Sequence, residues 1–176
     1  MVLIKNKFDC LVIAKPTSIF SYKDLYLIDQ YIMHGGKVLW LIDPLLVSMD
    51  SLQTQANTFA ISNFTGVDDI LFRYGVKLNT NLVTDMQCAK IPIVTGQYQN
   101  NTPQMTYYPW NFFPEISPNS NHIISDKISP VKMEFASSID TTNSPAKKTV
   151  LLSSSNRTRV LNSPVNVSLQ MLKQKQ

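Results

Sequence analysis

Charge is scarce in this 176-residue sequence. Asp, Glu, Lys and Arg make up 16% of it, against roughly 25% in an average soluble domain. That shortfall excludes a highly charged nucleic-acid-binding chain, an acidic tail protein and a coiled coil. Two cysteines are too few for a disulfide scaffold and do not report the redox compartment. Two separated histidines, with no clustered thiols, give no metal-ligand spacing. Five glycines leave few places for a ligand to approach the backbone closely. Neither a Gly-x-Gly-x-x-Gly turn nor a Walker loop is present, so the usual phosphate cradle is missing. No Gly-x-Ser-x-Gly elbow or cysteine equivalent occurs. No stretch approaches the ~18 apolar residues of a membrane span. Met1-Val2-Leu3-Ile4-Lys5 lacks the basic and long apolar regions of a secretory signal.

What is present is a 44% hydrophobic chain whose polarity comes largely from Asn, Gln, Ser and Thr. The length suits one domain, with room for an appended piece, and the apolar share suits a folded core. The charges are unevenly divided. Residues 1–88 hold seven Lys/Arg and eight Asp/Glu, net −1, and residues 89–176 hold nine and four, net +5. The basic residues of the second half are scattered, which reads as a solvated surface and not as a nucleic-acid-binding patch. Both ends of the chain read as structure, so an internal fragment of a longer protein is expected.

Residues 8–14 form a short β-branched apolar run, expected to be a strand buried on both faces. Ser21 with Asp24 three residues on has the form of a helix cap. Leu25, Ile28 and Ile32 then repeat at helical spacing, and Gly35-Gly36 stops the helix. A second apolar run, 38–42, ends at Asp43-Pro44. Strand, helix and strand predict a βαβ unit with parallel strands and a right-handed crossover. The expected fold class is therefore α/β: a Rossmann-like parallel sheet with flanking helices, followed by a β-rich C-terminal portion. Residues 1–95 form the βαβ-containing domain. Residues 96–148, rich in proline and aromatics, complete it in extended form, and 149–176 begin a further β-rich segment that is truncated. Within these parts, 48–55 reads as a short helix or a loop and 69–74 as a short helix. Residues 76–78, 82–85, 91–94, 131–139, 149–153 and 164–171 read as strands.

Few residues invite a chemical role. Cys10 lies inside an apolar run and reads as a buried small hydrophobe. His34 and His122 read as a helix-end residue and a turn residue. The strand ends at Lys15-Pro16-Thr17 and Asp43 are where open α/β sheets bind ligands. Lys15, Thr17 and Asp43 thus mark a candidate crevice, although Asp43 equally caps the next segment. The run Tyr107-Tyr108-Pro109-Trp110-Asn111-Phe112-Phe113-Pro114 is the chief oddity. Tyr107, Tyr108, Trp110, Phe112 and Phe113 suit a protein-binding patch or a sugar platform, and they equally suit rings closing a core. The sequence supplies no catalytic, cofactor-binding or metal-binding residue.

Several segments, in order, resemble the auxiliary domain of ABC-type transport systems, and more closely its gliding-motility-associated members. They are Asp9-Cys10-Leu11-Val12-Ile13-Ala14-Lys15-Pro16, the stretch from Asp29 through His34-Gly35-Gly36-Lys37 to Asp43-Pro44, and Asp69-Ile70-Leu71-Phe72-Arg73-Tyr74-Gly75-Val76. Gln87-Cys88-Ala89-Lys90-Ile91-Pro92, Tyr108-Pro109-Trp110, Ser117-Pro118-Asn119-Ser120-Asn121-His122 and Glu134-Phe135-Ala136-Ser137-Ser138-Ile139-Asp140 follow. The resemblance spans nearly the whole chain. It implies a class I glutamine-amidotransferase-like α/β fold without catalysis or cofactor. It also implies a domain on the periplasmic side of the inner membrane, anchored by segments outside this sequence and working beside ABC permease and ATPase subunits. Against this non-catalytic interaction module stand two rivals, a degenerate amidotransferase-like hydrolase using Cys10 or Cys88, and a glycan-binding module.

Overall fold

A computed structural model describes residues 8–55, 57–98 and 100–175. The segment Met1–Lys5, read above for a signal, lies outside them. Strand β1 (Cys10–Ala14) is followed by helix α1 (Tyr22–Met33) and strand β2 (Lys37–Leu41). Then come β3 (Leu45–Leu46), α2 (Met49–Thr54), β4 (Asn57–Ser62), α3 (Asp68–Arg73), β5 (Val76–Leu78) and β6 (Asn81–Asp85). The rest is strand: β7 (Cys88–Gln97), β8 (Pro103–Pro118), β9 (Val131–Lys132), β10 (Ile139–Thr141), β11 (Leu152–Ser153), β12 (Thr158–Asn162) and β13 (Val165–Ser168). A 3-10 helix, Leu169–Lys175, follows.

The βαβ unit forms where the sequence places it. The Ser21 hydroxyl accepts the Asp24 amide at 3.2 Å and starts α1. Gly35, at φ 83°, ends the helix in the left-handed region that glycine enters without strain. β1 and β2 pair in parallel, Cys10 opposite Lys37 through Ala14 opposite Leu41.

The Rossmann-like expectation is overturned beyond that unit. Among the described residues β1–β2 is the one parallel pair and stands as a two-stranded sheet. All other pairings are antiparallel: β13–β4–β3, β12–β6, β10–β5, and β11–β8–β7 with β9 also on β8. Helices do not flank both faces. Leu11, Ile13 and Trp40 pack against a cluster of Ile28, Val67, Ile70 and Leu71. The alternate residues Cys10, Val12, Ala14, Lys37, Leu39 and Leu41 are exposed, Val12 by 56% and Leu39 by 49%. Continuous Val/Ile/Leu runs usually signal burial on both faces; here the strands alternate in exposure although their side chains do not alternate in polarity. Cys10, expected to be buried, lies on this bare face. The direction of the later strands was hidden because period-two patterning reports a strand and not its partner.

The larger core lies among the antiparallel strands. Leu52, Ala60, Leu82, Ile91, Trp110, Phe112, Phe113 and Val167 gather there, with Phe135 packed against them. The expected long strand at 131–139 is reduced to β9 and the start of β10, while β4 and β12 form where no strand was read. Residues 149–176 fold back across the chain, β12 pairing with β6 and β13 with β4. Within the smaller cluster, Tyr74 donates its hydroxyl to Asp29 at 2.8 Å and ties α3 to α1. Burial first, and the Asp29 carboxylate second, push the Tyr74 pKa up to about 12. Asn81, buried, accepts the Ser138 amide and donates to the Ser138 hydroxyl, fixing the segment that leads into β10 beside β6.

Candidate functional site

The aromatic run owes its shape to two prolines. In the β7–β8 ladder Lys90 faces Pro109 and Cys88 faces Pro114. Two steps along β7 thus match five along β8. Proline has no amide hydrogen to give the ladder, and between Pro109 and Pro114 the chain bulges. Its backbone groups find other partners: Phe112 accepts the Phe135 amide and Pro114 accepts the Met133 amide, each at 3.0 Å. The bulge turns Trp110, Phe112 and Phe113 inward, 2%, 4% and 3% exposed. Trp110 and Phe112 lie 5.1 Å apart between ring centroids, and Phe113 meets Phe135 edge-on at 5.2 Å.

The five aromatic residues singled out in the sequence therefore occupy different places. Tyr107 is exposed opposite Pro92, and Tyr108 is half-buried opposite Ile91. Tyr108, Trp110 and Phe112 line a groove of about 860 Å³; Phe113 lies in the core instead, beneath the Lys132 ammonium at 5.0 Å. The far wall of the groove is the end of β6 at Thr84-Asp85-Met86 together with Arg157, Arg159 and Leu161, and Met171 and Leu172 of the 3-10 helix close one side. The volume lies within the ~300–1,000 Å³ typical of ligand sites.

Asp85 builds that wall. It is 1% exposed. Its carboxylate accepts the Gln87 amide (2.9 Å), the Ser155 amide (2.8 Å), the Ser155 hydroxyl and the Thr158 hydroxyl (2.8 Å). Burial alone would raise its pKa, but the donors from Ser155, Gln87 and Thr158 outweigh it and hold the carboxyl below the usual range. The Ser155 hydroxyl also receives the Arg157 amide at 3.0 Å. One buried charge thereby fixes the turn that presents Arg157 and leads into Arg159. Both arginines are exposed. The ion pairs among the described residues are Lys15–Asp43 and Lys132–Glu134, and neither involves them. The indole N–H of buried Trp110 has no hydrogen-bond partner among the described residues.

At the strand-end crevice, Lys15 and Asp43 meet at 3.2 Å in an exposed ion pair. Asn63 donates to the carbonyls of Pro16 (3.0 Å) and Asp43 (2.9 Å) and ties the two strand ends together. Thr17 lies exposed beside them. His34 stands at the C-cap of α1 with Nδ1 2.6 Å from the Gln30 carbonyl, and His122 accepts the Ile124 amide in its turn. No disulfide joins Cys10 and Cys88; the Cys88 thiol donates to the Asn111 amide oxygen at 3.7 Å. No group of three or more His, Cys, Asp or Glu gathers among the described residues. Nor is any helix among them long and apolar enough to cross a membrane.

Of the aromatic residues singled out in the sequence, Tyr108, Trp110 and Phe112 line the groove; its arginines were not singled out. Asp85 and its donors Ser155 and Thr158 are 70 and 73 residues apart, a separation that no local pattern reports. Arg157 and Arg159 read as scattered surface charges. The signal that was available is Arg-Thr-Arg-Val-Leu, in which two arginines and a leucine alternate at strand spacing.

No curated protein and no solved structure gives a significant match to the chain. A family model does: the one described as an ABC-type uncharacterized transport system matches residues 2–176. The chain therefore belongs to this family of auxiliary components of ABC-type transport systems.

Proposed function

We propose that the chain is a non-catalytic, extracytoplasmic interaction module of an ABC transport complex, and that its groove is a contact surface. In this reading the protein is anchored in the inner membrane and faces the periplasm. It works beside the permease and ATPase subunits, touches the permease, and serves gliding motility. The observation that carries the reading is the groove itself: aromatic side chains and two arginines without an ion-pair partner among the described residues line it together. A buried aromatic anchor with a polar rim is the usual build of a protein-binding surface. The low overall charge and the family membership agree with it.

The test is site-specific photo-crosslinking in the complete protein within its membrane. A crosslinker replacing Met86, 62% exposed at the groove wall, is expected to capture the permease. One replacing Tyr22, 94% exposed on α1, serves as the control position. Equal capture from both positions, or none from Met86, defeats the assignment of the groove. Loss of surface gliding on deletion, restored by the intact protein, tests the motility link.

A further inference from the structure

We propose that the groove takes an extended acidic peptide, with carboxylates at two alternate positions and an apolar side chain two residues further along. The inference rests on the interaction-module reading and names the chemistry of the partner segment. Arg159 and Leu161 lie on one face of β12 and Arg157 in the turn that leads into it, and all three line the groove. Alternate residues of a strand lie roughly 6.5–7 Å apart. Another extended chain repeats at the same distance, and its own alternate side chains then meet cation, cation and leucine in turn.

Three further features fit a peptide. Neither arginine has an ion-pair or hydrogen-bonded side-chain partner among the described residues, so their donors are available to carboxylates. Asp85, the acid on this wall, has both carboxylate oxygens occupied by four donors and is 1% exposed; two cations therefore face the ligand over one saturated buried anion. Tyr108, Trp110 and Phe112 line the same groove and give apolar ring surface to the peptide's hydrophobic side chain. An acyl chain with a single anionic head satisfies one arginine and leaves the other.

The test uses the full chain and two fluorescein-labelled peptides, STETETLTS and its uncharged counterpart STQTQTLTS, with laurate as the acyl competitor. Binding is read by fluorescence polarisation. The acidic peptide is expected to bind at least ~10-fold more tightly than the uncharged one, and to weaken as salt rises. The double substitution Arg157→Gln and Arg159→Gln is expected to erase that difference, and Leu161→Ser to weaken both peptides. Circular dichroism melting confirms that these exposed substitutions leave the fold intact. Equal affinity for the two peptides, an unaffected double variant, or laurate displacing the peptide at lower concentration overturns the proposal. Crosslinking from Met86 separates the two levels. Permease capture without acidic-peptide preference overturns the peptide chemistry alone, whereas loss of capture from the wild-type groove overturns the functional reading beneath it.

Discussion

Around Ile28, Val67, Ile70 and Leu71 the chain packs α1 and α3 against one face of a two-stranded parallel ladder. Around Trp110, Phe112 and Phe113 it packs rings among antiparallel strands gathered from residues far apart in sequence. The first region is local and one-sided: its members lie within residues 11–78, and its sheet leaves Val12, Leu39 and Leu41 in solvent. The second is assembled from β3, α2, β4, β6, β7, β8 and β13. Short-range patterning is sufficient to specify the first. The second depends on a proline-framed bulge and on a buried carboxylate holding a distant turn. The groove lies on the second, where side chains from separate elements converge.

The sharpest way to test this contrast is to remove Trp110. Trp110→Ala is expected to destabilise the protein by about 3–5 kcal/mol, seen as a large fall in the denaturant midpoint. Because the indole N–H has no partner among the described residues, the loss comes from packing and not from a hydrogen bond. Trp110→Phe is then expected to cost under ~1.5 kcal/mol. Comparable losses for the two substitutions would show that the N–H is engaged and that the floor of the groove differs from this description.

Asp85 comes next. Replacing it with Asn leaves the amides of Gln87 and Ser155 and the hydroxyls of Ser155 and Thr158 facing a neutral group. The expected loss at neutral pH is on the order of 2–3 kcal/mol, as for hydrogen bonds to a charged acceptor. The pH dependence has a definite sign. The folded-state pKa is lowered, so the stabilisation is complete above the unfolded value near ~3.9 and is lost as pH falls through the folded value. The gap between wild type and Asp85→Asn is expected to be constant from pH 7 to 5 and to close in stronger acid. A gap that widens on acidification would reverse the assignment.

These two residues also show where the sequence was legible. The βαβ unit was readable because cap, helical repeat and Gly-Gly stop all lie between Ser21 and Gly36, and each acts on its neighbours. The aromatic segment was recognisable as unusual, and its prolines excluded long helices. That its rings would divide between surface, groove and core follows from the five-against-two bulge, which depends on β7. Arg159 was unreadable as a site residue because β12 gains its position from pairing with β6, Arg159 opposite Thr84. The parallel-sheet expectation failed for a related reason. The apolar runs of β1 and β2 match a doubly covered sheet, and composition alone does not reveal that only one face is covered.

Within the local region, Gly36 is the tightest point. A side chain there would meet the ring of Tyr31, which is 4% exposed and donates its hydroxyl to the Phe8 carbonyl at 3.2 Å. Gly36→Ala is expected to cost about 1–3 kcal/mol by overpacking. Pairing it with Tyr31→Leu, which removes the obstructing atoms, should recover part of that loss in a double-mutant cycle. Strict additivity of the two changes would place the ring elsewhere.

The smallest effects are expected on the bare face of the parallel ladder, and they decide whether that face is open. Val12 and Leu39 stand opposite one another in the register and are 56% and 49% exposed. Val12→Ser and Leu39→Ser are each expected to move stability by no more than ~0.5 kcal/mol, as at other surface positions. Were the ladder covered on both sides, as its apolar runs first suggest, each change would remove roughly 1.5–3 kcal/mol of burial. Cys10 shares this face and is exposed, whereas Cys88 is partly buried in β7. Alkylation of the native protein, followed by mass spectrometry, is therefore expected to modify Cys10 before Cys88. Reversed order, together with costly serine substitutions, would mean that the face is covered in solution, and the one-sided character of the local region would fall with it.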